Sequence, residues 1–113
     1  MFKIRSSTIE ITQGDTGRFA VPLFDENGQA YQPLAGDVLR FTVKANLTDK
    51  EPLLQKVADS FTEGEAAQFV LHPADTAALA PGKYIYDVEL TQAGGDVNTV
   101  VTPHDFYVLG GVS

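Results

Sequence analysis

From Tyr84 to Thr91 the side chains alternate without interruption, Tyr84, Tyr86, Val88 and Leu90 on one parity and Ile85, Asp87, Glu89 and Thr91 on the other. A period of two puts each set on one face of a strand, whereas a helix would scatter both around its surface. One set is apolar and the other mostly polar, so the segment reads as a central strand of an antiparallel sheet with one wet face. The residues before it, His72-Pro73-Ala74-Asp75-Thr76-Ala77-Ala78-Leu79-Ala80, predict one helical turn over 74–79, with Leu79 covering the end of a core. Pro81-Gly82 then returns the chain to the sheet.

The same grammar runs through the rest of the chain. Phe2 and Ile4 alternate with Lys3 and Arg5, and Ile9 and Ile11 with Glu10 and Thr12, which predicts an extended region over 2–12 with a bend or change of partner at Ser6-Ser7-Thr8. Gln13-Gly14-Asp15-Thr16-Gly17 is a turn. Phe19, Val21 and Leu23 share one face of the next strand, and Asn27-Gly28 marks a hairpin returning through Gln29-Ala30-Tyr31. Pro33-Leu34-Ala35-Gly36 opens another turn. Leu39, Phe41 and Val43, set against Arg40, Thr42 and Lys44, make a strand with one wet face.

Residues 46–52 are a loop, and Leu53-Leu54-Gln55-Lys56-Val57 fits either an edge strand or a short helix. A turn-rich stretch follows in which Phe61 closes one end of the core. Ala67, Phe69 and Leu71 mark a strand stopped by Pro73. Ala93-Gly94-Gly95-Asp96 is a second hairpin turn, and Val97, Thr99 and Val101 continue the sheet until Pro103 bends it or sets it on an edge. Phe106 and Val108 resume the alternation before a flexible end at 110–113.

These pieces predict an all-β, immunoglobulin-like antiparallel β-sandwich of about seven strands with one short helical turn, a single domain over 1–113. The expected core is Phe19, Val21, Phe41, Val43, Phe69, Leu71, Tyr84, Tyr86, Val88, Phe106 and Val108. At about 1.5–3 kcal/mol per fully buried large apolar side chain, such a cluster offsets chain ordering without a metal or disulfide. The chain has no Cys and no Trp, so the disulfide and tryptophan of true immunoglobulin domains are missing.

Lys and Arg number 8 against 15 Asp and Glu, a net charge of −7. That balance argues against nucleic acid as a partner, because phosphate binding needs concentrated positive charge. The acids are spread through turns and strand faces and do not form an acidic tail. No apolar run is long enough for a signal peptide or membrane insertion, which predicts synthesis in the cytoplasm and leaves room for later incorporation into an extracellular particle.

No constellation of residues carries catalysis. His72 and His104 each stand beside a proline at a strand end, and without Cys or a close His pair they read as turn histidines rather than zinc ligands. Asp25-Glu26-Asn27-Gly28 has the oxygen ligands of a calcium loop but not its later acid, and reads as a hairpin. Asp87, Glu89 and Asp105 lie in a pattern that brings acids together without marking a substrate cleft. The glycines at 14 and 17 and at 94 and 95 serve turns, not a phosphate loop. The expectation is therefore a protein that is not an enzyme, with no cofactor, catalytic residue or metal ligand set. Tyr31, Tyr107 and Phe61 are either core caps or an aromatic surface for a carbohydrate or a protein.

Four segments carry a resemblance to a known family: Ile9-Glu10-Ile11-Thr12-Gln13-Gly14-Asp15-Thr16, Phe19-Ala20-Val21-Pro22-Leu23-Phe24-Asp25-Glu26-Asn27-Gly28, Asp37-Val38-Leu39-Arg40-Phe41-Thr42-Val43-Lys44, and the run from Leu79 to Leu90. Together the chain resembles the N-terminal domains of phage baseplate upper proteins and related small prophage structural proteins. The resemblance implies a virion-associated, non-enzymatic building block of a tail, baseplate or head decoration, whose partners are phage structural proteins or further copies of itself. Docking would use a sheet face or the edge of a first or last strand. The candidate interface residues are Phe2 and Ile4 on the first strand, Phe106, Tyr107 and Val108 on the last, and Tyr31. The alternative is a carbohydrate-binding or cell-surface adhesion module, for which an aromatic groove at Tyr31 or Tyr107 would be the sign.

Overall fold

A computed structural model of the chain describes residues 3–5, 8–21, 23–24, 27–46, 48–61 and 67–111. They form β1 (Lys3–Arg5), β2 (Thr8–Thr12), β3 (Gly17–Val21), β4 (Val38–Lys44), β5 (Leu54–Ala58), β6 (Ala67–Leu71), α1 (Pro73–Ala77), β7 (Gly82–Thr91) and β8 (Val97–Leu109). A six-stranded sheet in the order β1-β2-β8-β7-β4-β5 faces a two-stranded sheet of β3 and β6. In the letters of the immunoglobulin fold, β3 and β6 take places B and E, and β4, β5, β7 and β8 take C, C′, F and G. The fold is an immunoglobulin-like β-sandwich.

The expected first extended region is two strands, β1 and β2, paired antiparallel with Ile4 opposite Ile9. One pair departs from the antiparallel expectation: β2 runs parallel to β8, with Ile9 opposite Phe106 and Ile11 opposite Val108. The cause is the Gln13–Thr16 turn, which sends the chain into the other layer as β3 rather than back along the same sheet. Residues 54–58 resolve the ambiguity at Leu53-Leu54 as an edge strand, antiparallel to β4.

Alternation fixes which face is buried. Leu39, Phe41 and Val43 of β4 are buried, as are Tyr86, Val88 and Leu90 of β7, Phe19 and Val21 of β3, and Phe69 and Leu71 of β6. Phe41 is the hub, its ring 5.1 Å from Phe19, 5.8 Å from Phe69, 5.4 Å from Tyr86 and 6.0 Å from Phe106. Such pairs add about 0.5–1.5 kcal/mol each beyond their area. This cluster joins strands B, C, E, F and G, where true immunoglobulin domains use a disulfide and a tryptophan. The Tyr84 hydroxyl donates to the Ala80 carbonyl at 2.6 Å, a tyrosine corner two residues before Tyr86.

β8 is 13 residues long and slips register twice against β7, between Tyr86 and Val88 and between Val88 and Glu89. The first slip lies where Pro103 sits between the partners Val101 and His104, so a residue with no N–H is placed where the ladder is already interrupted. At the far end of the sandwich α1 is held by Thr76, whose hydroxyl accepts from the Gly14 amide at 2.9 Å and lies 3.1 Å from the Asp15 carbonyl. Lys56 of β5 points inward and meets Asp75 of α1 at 2.7 Å, tying the sheet edge to the helix. Burial pushes the Asp75 carboxyl up, but the Lys56 ammonium and the His72 amide outweigh it and hold the group below its ordinary value.

Candidate interaction surfaces

The six-stranded sheet ends in β1 on one side and β5 on the other. β1 is the expected edge, carrying Ile4 in its backbone pairing with β2; Phe2 lies outside the described residues. The last strand is not an edge. β8 is flanked by β2 on one side and β7 on the other over 106–108, so its backbone has no free rim there. Phe106 and Val108, expected at an interface, are 0% and 2% exposed and belong to the core. Only Tyr107, half-buried on the opposite parity, is turned outward, with its hydroxyl 3.3 Å from Asp105 Oδ2.

β5 is the edge that the sequence reading did not single out. Among the described residues it pairs with β4 alone, and Leu53 and Val57 are about half exposed, at 52% and 53%. The signal was present in the same alternation: Lys56 shares a parity with Leu54 and Ala58, and an inward-pointing charge is a device of edge strands.

On the outer face of the sheet, Arg40 and Lys44 of β4 stand opposite Glu89 and Ile85 of β7, and Asp87 faces Thr42. Thr42, Lys44, Ile85, Tyr86, Asp87 and Pro103 line a shallow depression of about 110 Å³. Burial and the neighbouring Glu89 raise the Asp87 carboxyl above its ordinary value, and Lys44 offsets this only in part. Asp105 pairs across β7 with Ile85, two residues from Asp87, and is engaged by Lys83 at 3.5 Å. The two histidines stand in different layers' strands and connections: His72 precedes α1, and His104 lies on β8 opposite Tyr86.

The third surface is the end of the sandwich where β3, β5 and β7 finish. Val21 pairs with Ala67, Leu39 with Ala58, and Val38 with Thr91, which in turn pairs with Val97. The connections 22–37, 59–66 and 92–96 therefore all join strands at one end. Asp37, 2% exposed, holds two of them together. Its Oδ2 accepts from the Tyr31 hydroxyl at 2.7 Å and the Leu34 amide at 2.9 Å, and its Oδ1 from the Ala93 amide at 3.0 Å. Burial pushes the Asp37 carboxyl up, but the bonds from Leu34, Tyr31 and Ala93 prevail and leave it below its ordinary value. The bond to Asp37 raises the Tyr31 phenol, with a smaller opposing effect from Gln92. Gly36, at φ +93°, is where the loops touch: a Cβ there would lie 2.9 Å from the Ala93 Cβ.

Tyr31 thus serves this polar knot, and Tyr107 stands near the start of β7, opposite Lys83, at the other end of the strand. The two tyrosines do not line a common groove.

No protein-family model and no curated protein sequence matches the chain. Among solved structures, one of murine CRIg is similar over 99% of this chain and 98% of that chain, at 10% identity and a TM-score of 0.43.

Proposed function

We propose that the chain is a non-enzymatic structural protein of a phage or prophage particle, a protein–protein assembly module of a tail, baseplate or head decoration. The resemblance of its four segments to baseplate upper proteins supports this reading, and one structural observation carries it: among the described residues β5 has no strand partner on the side away from β4, and Leu53 beside it and Val57 within it are exposed. An extended strand from a neighbouring subunit adds to such an edge through main-chain hydrogen bonds, while side chains beside it select the partner. Lys56, turned inward onto Asp75, keeps the edge from indiscriminate pairing. Repetition of the contact around a symmetric particle multiplies a weak single interaction.

The test is to follow the chain and its Val57→Lys variant in gradient-purified particles from the cells that encode it. The wild-type chain is expected to sediment with tails or heads. Val57→Lys should fold with unchanged stability, within about 0.5 kcal/mol for an exposed site, and be lost from the particles. A chain found only as free monomer, or a variant incorporated as well as the wild type, contradicts the reading.

A further inference from the structure

The β5 edge carries a pattern that fits its own copy. Leu53, Gln55 and Val57 share the outward parity and all three are exposed, while Leu54, Lys56 and Ala58 on the inward parity are half-buried. Leu53 is tied to the same ladder, its amide donating to the Val43 carbonyl at 2.8 Å. An apolar side chain thus stands two places before Gln55 and another two places after it, so the outward set reads apolar, amide, apolar in either direction. In an antiparallel pair centred on Gln55, Leu53 of each copy lies opposite Val57 of the other. A slip of one residue either way loses both contacts.

The chemistry at the centre is self-complementary as well. Gln55 donates one side-chain N–H to Thr42 Oγ1 at 3.2 Å, and a primary amide has a second N–H and a carbonyl oxygen besides. Across a two-fold axis each amide gives its N–H to the carbonyl of the other, whereas a charged residue opposite Gln55 satisfies one of the two groups and an apolar residue neither. On the inward side Leu54 comes opposite Lys56, whose ammonium is held by Asp75 at 2.7 Å and whose methylene stem is left to pack on the leucine. The pairing ends at Pro52, which has no N–H to give, and beyond it the exposed Glu51 and Asp59 set like charges opposite each other.

We propose that β5 pairs with β5 of a second copy of the chain, antiparallel about a two-fold axis at Gln55, joining two six-stranded sheets into one. The inference rests on the reading of β5 as a docking edge and names its occupant. Six residues a side, Leu53 to Ala58, is short of the about 20–30 a side of a stable complex, so the dimer is weak in solution and gains strength where a particle holds copies side by side. Each copy has a net charge of −7, and salt screens the repulsion between them, so the contact tightens as salt rises.

Sedimentation of the whole chain tests the pairing. Its mass is expected to rise from monomer toward dimer between about 10 µM and about 1 mM, with the dissociation constant falling about threefold or more between about 0.05 and 0.5 M salt. Gln55→Lys sets two ammonium groups opposite each other and should weaken the dimer about three- to fivefold, as should Gln55→Glu, while an equimolar mixture of the two variants should restore it. The chain has no Cys, so introduced thiols read the register. Under mild oxidation Gln55→Cys should form a covalent dimer about tenfold faster than Val97→Cys, an exposed position away from β5. Leu53→Cys alone and Val57→Cys alone should not, because each thiol stands about 13 Å from its own copy across the axis, whereas the two mixed should crosslink to each other. A chain that stays monomeric at about 1 mM, a dimer untouched by Gln55→Lys, or thiols at 53 or 57 that crosslink with themselves as fast as those at 55 would each overturn the proposal. If the chain is monomeric yet enters particles and Val57→Lys does not, the self-pairing falls and the edge serves an unlike strand. If the dimer forms through Gln55 but the chain is absent from particles, the self-pairing stands and the particle role falls.

Discussion

The Tyr31 hydroxyl donates a 2.7 Å hydrogen bond to Oδ2 of Asp37, six residues along the chain, and through the other oxygen of that carboxylate the Ala93 amide is held as well. One buried side chain thus fixes the geometry of two connections that are 56 residues apart at their bonded atoms. Asp37→Asn replaces an acceptor oxygen by an NH2 group facing donors, and should cost about 2–3 kcal/mol in urea unfolding, against about 1 kcal/mol for Tyr31→Phe. In a double-mutant cycle the two losses should not add, because they share a bond.

Acid should weaken the same knot. The Asp37 and Asp75 carboxyls lie below their ordinary value of 3.8 in the folded chain, so the unfolded chain takes up protons first as the pH falls. Their stabilisation is present above the unfolded value and is lost as the pH drops through the folded ones. Unfolding measured between about pH 5 and 2 should show this fall, and Asp37→Asn should flatten part of it.

Asp87 has the opposite sign. Its folded value is raised, by burial and then by Glu89, so its charged form opposes folding at neutral pH and protonation relieves it as the pH falls through that raised value. Asp87→Asn should therefore raise Tm at pH 7 by about 2–4 °C, corresponding to about 0.5 kcal/mol, with the gain shrinking in acid.

Much of this architecture was readable from period-two alternation, because a strand with one buried face leaves that mark wherever the face is continuous. β3, β4, β6 and β7 are of this kind, and their inward residues are the ones the alternation names. Edges left a weaker mark. β5 starts at the second of two adjacent leucines and carries an inward lysine, so its pattern is mixed, and only its pairing with β4 identifies it. The place of β8 inside the sheet depends on the parallel pairing with β2, a contact across nearly the whole chain that no local pattern encodes. For that reason Phe106 and Val108 were legible as core but not as excluded from an interface. The polar knot was half legible: Asp37 directly follows the Pro33-Leu34-Ala35-Gly36 turn, a place where aspartate commonly accepts from turn amides, but the Ala93 amide that completes the knot arrives from a distant hairpin.

Base should act through Tyr86. Burial raises its phenol from 10.0 to about 12 in the folded chain. The unfolded chain loses this proton first, so stability is full below about pH 10 and falls as the pH rises toward about 12, by on the order of 2–3 kcal/mol. Phenolate absorbance followed with unfolding should show Tyr86 titrating late, with Tyr31 also delayed by its bond to Asp37, and Tyr86→Phe should remove the part of the alkaline loss that burial causes.

Phe41, in contact with four aromatic rings, is the side chain whose loss should be felt most. Phe41→Ala should cost about 3–5 kcal/mol in urea unfolding, whereas Phe41→Leu should retain the fold at a smaller cost. A cost of less than about 1 kcal/mol for Phe41→Ala would show that the ring cluster does not join the two layers.

Amide hydrogen exchange of the chain, free and within purified particles, tests the central claim most directly. If β5 docks a neighbouring strand, its amides facing away from β4 exchange in the free chain and become protected in the particle, with Leu54–Ala58 showing the largest gain in the six-stranded sheet. Unchanged exchange along Leu54–Ala58 in a particle that contains the chain would contradict edge-to-edge assembly.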